Sequence, residues 1–324
     1  MAKSRVIQVV SHGPSCLDGV VAAAVVARFF DGERVLTTLA SNSETDRVIQ
    51  SLEVRSNKDE IWITDLSWTS LATAGHLRGL TDQGARVFWI DHHRSAVSRA
   101  GAPEFKAPFA GKVLSEKRSA ALLTYQYLTR REKELTVAQR KNFEAFEPMA
   151  EIADDHDRWI HKIDHSEDWA LAVQTLGGMA AYRELKKLTE PRMTRRLREA
   201  FESGRDAMHR SRELADSTRV DRVLADGVTI RTACCFGYSS EVAAHLYNNT
   251  RRTVVALFDL RSQGVSLRRS PDCDVDLARL AESFGGGGHV AASGFMLPDL
   301  KRIPAEKLSD ILAAKLSPAP QEPL

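Results

Sequence analysis

Apolar and polar positions alternate along this chain in two successive rhythms. Short runs rich in β-branched and aromatic residues recur at 6–10, 35–39, 61–65 and 86–90, separated by helix-compatible stretches at 19–30, 44–53 and 69–79. Strands that alternate with helices predict a parallel sheet with crossover helices. Ser119 to Thr129 predicts a further amphipathic helix, with Leu122, Leu123, Tyr125, Tyr127 and Leu128 available for packing, and 136–162 is mainly helical in character. A second α/β rhythm starts near 219. It predicts strands at 221–225, 228–235, 253–260 and 263–268 and helices at 239–248 and 274–284.

Between the two rhythms the apolar positions thin out. Arg183, Lys186, Lys187, Arg192, Arg195, Arg196, Arg198, Arg205, Arg210 and Arg212 crowd one segment, mixed with Glu. This predicts a long solvated helix joining two domains, whose basic face is either plain surface or a guide for a polyanion. The expected organisation is therefore 1–183, a linker helix at 184–218, a smaller α/β domain at 219–316, and a disordered Pro-rich tail at 317–324.

Composition narrows the class. The 324 residues are 43% hydrophobic with a formal charge of +2, which supplies ordinary cores and no global field for a nucleic acid or membrane surface. No stretch approaches the ~20 apolar residues of a membrane span, and the N-terminal residues run straight into a strand without a signal-peptide core. Cys16, Cys234, Cys235 and Cys273 match no zinc-ribbon spacing. A reduced, cytoplasmic protein is the expectation.

The candidate chemistry lies where the first-rhythm strands stop. The run 86–90 ends in Asp91-His92-His93, the run 6–10 in Ser11-His12, and Ile61-Trp62-Ile63-Thr64 in Asp65, while the loop after His12 carries Cys16 and Asp18. Ligands in open parallel sheets bind beyond the carboxyl ends of the strands. His12, Asp18, Asp65, Asp91, His92 and His93 would then share one acidic, imidazole-rich site, the donor types of catalytic Mn, Zn and Fe centres. A second acidic cluster spans Asp154-Asp155-His156-Asp157. In the second rhythm, Gly285-Gly286-Gly287-Gly288-His289 costs backbone entropy and permits close approach of backbone N–H groups to an anion.

Taken in order, His12…Cys16-Leu17-Asp18-Gly19, Thr64-Asp65, Asp91-His92-His93, Asp154-Asp155-His156-Asp157, Ser266-Leu267-Arg268-Arg269-Ser270 and Gly285-Gly286-Gly287-Gly288-His289…Ala292-Ser293-Gly294-Phe295 resemble the DHH phosphoesterases, in the branch with a DHH-associated C-terminal domain. The resemblance spans about 6–297. It implies an N-terminal parallel-sheet domain and a smaller C-terminal α/β domain with an active-site cleft between them. The implied activity is metal-dependent hydrolysis of phosphodiester or phosphomonoester bonds in small nucleotides or short oligonucleotides. The implied ligand set for one divalent ion, commonly Mn²⁺, is His12, position 16 and Asp65. For a second it is Asp18, Asp65, His92 and an acidic residue of 154–157, with Asp157 favoured and Asp155 its rival. Asp91 would orient a ligand and His93 would lie at the scissile phosphate. Arg268, His289 and the amides of Gly286, Gly287 and Gly288 would hold substrate phosphate. Many relatives dimerise, so a second copy of the chain is a possible partner, and no membrane is implied.

One position departs from the family pattern, His-x-x-x-Asp-x-Asp: Cys16 stands where the first Asp is expected. A thiolate ligand favours softer Zn²⁺ or Fe²⁺, with Co²⁺ also compatible. A weak first site, or a protein that binds or senses nucleotides without cleaving them, are the other readings of the same residue.

Overall fold

The computed structural model describes residues 5–102, 106–297 and 305–316. The expected C-terminal tail at 317–324 lies outside the described residues. The chain separates into two compact units, Met1–Gly204 and Arg205–Leu324.

In the first unit, β1 (Val6–His12), β2 (Arg34–Ala40), β3 (Glu60–Thr64), β4 (Arg86–Asp91) and β5 (Gly111–Leu114) form one sheet in the order β2-β1-β3-β4-β5. Every pairing is parallel. Helices α1 (Leu17–Phe29), α5 (Ala120–Thr129), α6 (Val137–Glu144), α7 (Glu147–Asp157), α8 (Ser166–Leu176) and α9 (Gly178–Leu185) share a core with Ile7, Val9, Trp62, Phe88 and Ile90. Helices α2 (Thr45–Gln50), α3 (Leu71–Asp82) and α4 (Arg94–Arg99) share a separate core with Val10, Ile61, Ile63, Val87 and Trp89. Alternate strand residues thus enter opposite cores, as the period of two dictates, and strands covered on both faces read as continuous apolar runs.

The basic segment is helical over a shorter span than expected. α10 runs only Arg195–Thr218, while 186–194 is irregular. Pro191 has no N–H to give and disfavours helix at the residue before it. Nor is the helix wholly solvated, because Leu197 and Ala215 are buried.

The second unit holds β6 (Val220–Val223), β7 (Thr229–Cys235), β8 (Thr253–Asp259), β9 (Gly264–Arg269), β10 (Gly287–Gly288) and β11 (Ala292–Met296), with α11 (Ser239–Tyr247), α12 (Leu277–Glu282) and α13 (Ala305–Leu316). The sheet order is β10-β11-β9-β8-β7-β6, and among the described residues β7–β8 pair parallel and the other neighbours antiparallel. Leu277, Leu280, Leu308 and Leu312 pack on Ile230, Val254, Ala256 and Leu267 to make its core. Among the described residues no helix is long and apolar enough to cross a membrane.

Candidate metal centre

The strand order of the first sheet decides where a site can form. β1 sits between β2 and β3, so the chain leaves β1 one way and β3 the other, opening a crevice at the carboxyl edge between them. His12 is the last residue of β1, Asp65 follows β3, and Asp91 closes β4 with His92 and His93 directly after it. Asp65 has φ 57, a left-handed conformation that Asp tolerates better than most residues. Cys16 is the N-cap residue of α1 but makes no capping bond. Helix α1 approaches β1 so closely that a Cβ on Gly19 would lie 2.3 Å from the carbonyl oxygen of His12. That backbone contact carries Asp18, in the first helical turn, to the strand edge. Asp157 arrives from the last turn of α7.

These side chains converge on Asp65. Its Oδ2 lies 3.4 Å from Nδ1 of His12 and accepts the Cys16 thiol at 3.6 Å. Its Oδ1 lies 3.3 Å from Nε2 of His92 and 3.8 Å from Nδ1 of His93. The same His92 nitrogen is 3.7 Å from Oδ2 of Asp18 and 3.5 Å from Oδ2 of Asp157. The donor atoms therefore fall into close groups, His12–Cys16–Asp65, Asp65–His92–His93 and Asp18–His92–Asp157.

Asp91 stands behind the histidines. Its Oδ1 accepts the backbone N–H groups of His92 at 2.7 Å and His93 at 3.1 Å, and pairs with Nδ1 of His93 at 2.7 Å. Asp18 is pinned by the backbone N–H groups of Ala120 and Ala121, both at 2.8 Å, at the start of α5.

The acidic cluster of α7 divides by helical geometry. Asp155, expected as a rival ligand, is not brought to the centre: its oxygens accept the Lys162 N–H at 2.8 Å and the Ser166 hydroxyl at 2.7 Å, tying the following loop to α8. Asp154 accepts the Ser119 N–H at 2.6 Å and pairs with Arg158 at 3.2 Å. Asp157 reaches His92, its Oδ2 lying 3.5 Å from Nε2.

Burial and crowding set the charge states. Burial, then the charges of Asp65 and Asp157, push the Asp18 carboxyl well up. Burial also raises Asp157, against the pull of His92. Burial opposes ionisation of Asp65 as well, but the imidazoles of His12 and His92 beside it hold its carboxyl below the usual range. Burial works against a charged His92, yet the Asp65 contact and the charges of Asp157 and Asp18 lift it to about 11. For His93, burial is likewise overcome by Asp91, which lifts it to about 9. Burial and the three carboxylates push the Cys16 thiol well up.

The donor set suits a divalent cation. Oδ1 of Asp65 is buried and meets no hydrogen-bond donor in bonding geometry. Carboxylates crowded this closely are stabilised by positive charge between them, and the mixture of imidazole, carboxylate and thiol suits Mn, Fe, Co or Zn.

In the second unit, Arg268 on β9 donates to the Leu267 carbonyl at 2.8 Å and the Ser240 hydroxyl at 2.9 Å. The glycine run begins as a turn after α12 and then pairs with β11. Its amides are partly committed: Gly285 to Glu282, Gly286 to Ala281 and His289 to Ala292. A Cβ on Gly286 would lie 2.1 Å from the Gly294 oxygen and one on Gly288 2.6 Å from Cα of Ser293, whereas Gly287 faces open space. The aromatic rings flanking the run are core: Phe284 and Phe295 stack at 4.3 Å, Phe295 is buried, and Tyr238 is buried beside Arg261.

Residues 235–316 match the DHHA1 domain family. The chain is 25% identical over 301 residues to the oligoribonuclease NrnB of Bacillus subtilis, an alignment that covers 87% of this chain and 71% of that protein. Its fold is similar to that of an exonuclease RecJ solved with manganese, with a TM-score of 0.57, 15% identity, and coverage of 97% and 91% of the two chains. It is similar also to the pGpG-specific phosphodiesterase PggH of Vibrio cholerae, with a TM-score of 0.53, 14% identity, and coverage of 97% and 98%.

Proposed function

This chain belongs to the DHH phosphoesterase family and carries a DHHA1 domain toward its C-terminus, and on that footing we propose that it is a metal-dependent hydrolase of phosphoester bonds in small nucleotides or short oligonucleotides. The observation that carries the proposal is the position of Asp65, whose two oxygens face separate sets of donors, His12 and Cys16 on one side and His92 and His93 on the other. NrnB is an oligoribonuclease and PggH a phosphodiesterase specific for pGpG, which favours short linear oligonucleotides as substrates.

The residues divide the work. His12, Cys16 and Asp65 would hold one cation, and Asp18, Asp65, His92 and Asp157 another, Mn²⁺ foremost, with Zn²⁺, Fe²⁺ or Co²⁺ admitted by the thiol. Bound there, such a cation would supply charge neutralisation at the phosphoryl group and acidify a water. Asp18 is kept in place by the amides of Ala120 and Ala121. Asp91 fixes the ring of His93 and keeps a proton on its Nδ1. His93 would stabilise negative charge on the phosphoryl oxygens and hold a proton for the leaving oxygen. In the DHHA1 domain Arg268, His289 and Gly287 would hold a substrate phosphate, Arg being suited to a two-pronged contact.

Nucleotide binding without turnover is the second reading. The observation behind it is Cys16, whose thiol stands where the family has a carboxylate and is pushed up by burial and the neighbouring carboxylates; a thiol binds metal only as the thiolate. Both readings meet one test. Metal-stripped protein is assayed with Mn²⁺, Co²⁺, Zn²⁺ or Fe²⁺ on RNA dinucleotides and pentanucleotides, adenosine 3′,5′-bisphosphate and cyclic dinucleotides. Turnover of one class establishes the enzyme and its metal. Tight binding of a nucleotide with no turnover under any metal establishes the second reading.

A further inference from the structure

The seven residues from Trp159 to His165 contain three non-glycine positions of positive φ: Trp159 at 56°, His161 at 51° and His165 at 67°. Trp159 is the most unusual. α7 ends at Asp157 with Arg158 as its cap. The Trp159 N–H then bonds the His156 carbonyl at 3.0 Å and the Ile160 N–H bonds the Asp155 carbonyl at 2.8 Å. This is the paired closure of a helix end in which the left-handed residue is usually Gly, because a Cβ there is sterically penalised. A tryptophan occupies that position, and it is not there to fill the core: its exposure is 37%.

A large aromatic kept in a disfavoured backbone conformation and left exposed is a feature that clusters at binding sites. Two peptide units separate Trp159 from Asp157, so their Cα atoms are at most about 7.6 Å apart, and Asp157 is the α7 residue that reaches His92. The ring of His161 stands edge-on to the indole, with centroids 4.4 Å apart and planes at 89°. Its Nδ1 is fixed by Glu167 at 3.1 Å. Beyond His161 lies a cavity of about 290 Å³ lined by His161, Ile163, Asp164, Ser166 and Glu167 among others. Carboxylates at its wall accept hydrogen bonds, so it suits the N–H donors on the edge of a base and repels phosphate.

We infer that Trp159 is a stacking platform for a substrate nucleobase beside the metal centre, with His161 as its side wall. The inference rests on the nucleotide-hydrolase reading and adds the residue that would recognise the base. Stacking accepts any base face, so Trp159 would contribute affinity for a nucleoside over a base-free sugar phosphate.

The test compares wild type with Trp159→Gly and Trp159→Phe. Gly is the preferred residue at this helix end, so Trp159→Gly is expected to keep or raise the melting temperature, and any loss of binding is then not loss of fold. AMP and ribose 5-phosphate are titrated by calorimetry and by quenching of indole fluorescence, in the presence of Mn²⁺. Expected are AMP affinity about 10-fold above that of ribose 5-phosphate, loss of most of that difference in Trp159→Gly, and partial retention in Trp159→Phe. Turnover of pApA, measured alongside, should show the loss chiefly in KM. Equal AMP affinity in wild type and Trp159→Gly overturns the inference, and so does wild type that does not prefer AMP. Absence of turnover together with Trp159-dependent AMP binding would instead overturn the hydrolase and leave the platform standing.

Discussion

Nε2 of His92 lies 3.3 Å from Oδ1 of Asp65 and within 3.7 Å of carboxylate oxygens from both Asp18 and Asp157. One imidazole thus faces three acids, Asp18 and Asp65 buried and Asp157 half-buried, and Asp65 connects that group to His12 and Cys16 through its other oxygen. Asp65→Asn is predicted to lower turnover at least ~100-fold, more than loss of an outer hydrogen-bond partner costs a metal site. Calorimetric metal titration should show weakening of every bound ion, because both donor groups share this carboxylate.

Asp155 and Asp157 separate by function. Asp155→Asn disturbs the bonds to Lys162 and Ser166 and is predicted to destabilise the fold by about 1–3 kcal/mol, with metal affinity retained. Asp157→Asn relieves a carboxylate that burial already disfavours, so metal-free stability should hold or rise while metal affinity falls. Urea unfolding with and without metal distinguishes the two.

The sequence shows which acids cluster there but not which one points inward. Asp154, Asp155 and Asp157 all follow an amphipathic stretch, and the choice depends on the rotation of α7 against α1 and α5. The strand ends were legible because doubly covered parallel strands are uninterrupted apolar runs that stop abruptly in polar residues, as at Thr64-Asp65 and Ile90-Asp91. β5 was not, since Gly111 and Lys112 interrupt any such run. β11 was hidden because Ala292-Ser293-Gly294 looks like a loop until it pairs with β9. The buried Glu60, held by Arg131 at 2.9 Å and Arg86 at 3.1 Å, was equally silent, since ion-pair partners 71 residues apart leave no local pattern.

Metal uptake is predicted to strengthen with pH. In the metal-free protein His92 and His93 titrate near 11 and 9, above the ~6.5 of an unfolded histidine. Their protonation stabilises the metal-free fold fully below about pH 6.5, and that contribution is lost as pH rises through about 9 for His93 and later for His92. Metal-stripped protein should therefore show a lower urea midpoint at pH 9.5 than at pH 7. Metal binding at pH 7 should release protons, detectable as a buffer-dependent calorimetric enthalpy.

Cys16→Asp restores the family residue at the first donor group. It is predicted to raise the share of Mn²⁺ bound at the expense of the Zn²⁺, Fe²⁺ or Co²⁺ that the thiol admits, read by elemental analysis of protein loaded from an equimolar mixture. Unchanged preference would show that the thiol is not a ligand.

The glycine run separates packing from binding. Gly286→Ala and Gly288→Ala force a Cβ against the β11 backbone and should each cost about 1–3 kcal/mol, seen in thermal unfolding without ligand. Gly287→Ala meets nothing within 4 Å and should leave the melting temperature unchanged. Any loss of nucleotide affinity in that variant then reports on phosphate contact alone.

The most direct test of an Asp65-centred hydrolytic centre is a titration of metal-stripped wild type and Asp65→Asn with Mn²⁺ while pApA cleavage is followed. The account predicts no cleavage without metal, saturable cleavage by wild type as Mn²⁺ is added, and at least ~100-fold less by the variant at every concentration. Cleavage that is independent of metal, or equal in the two proteins, would contradict it.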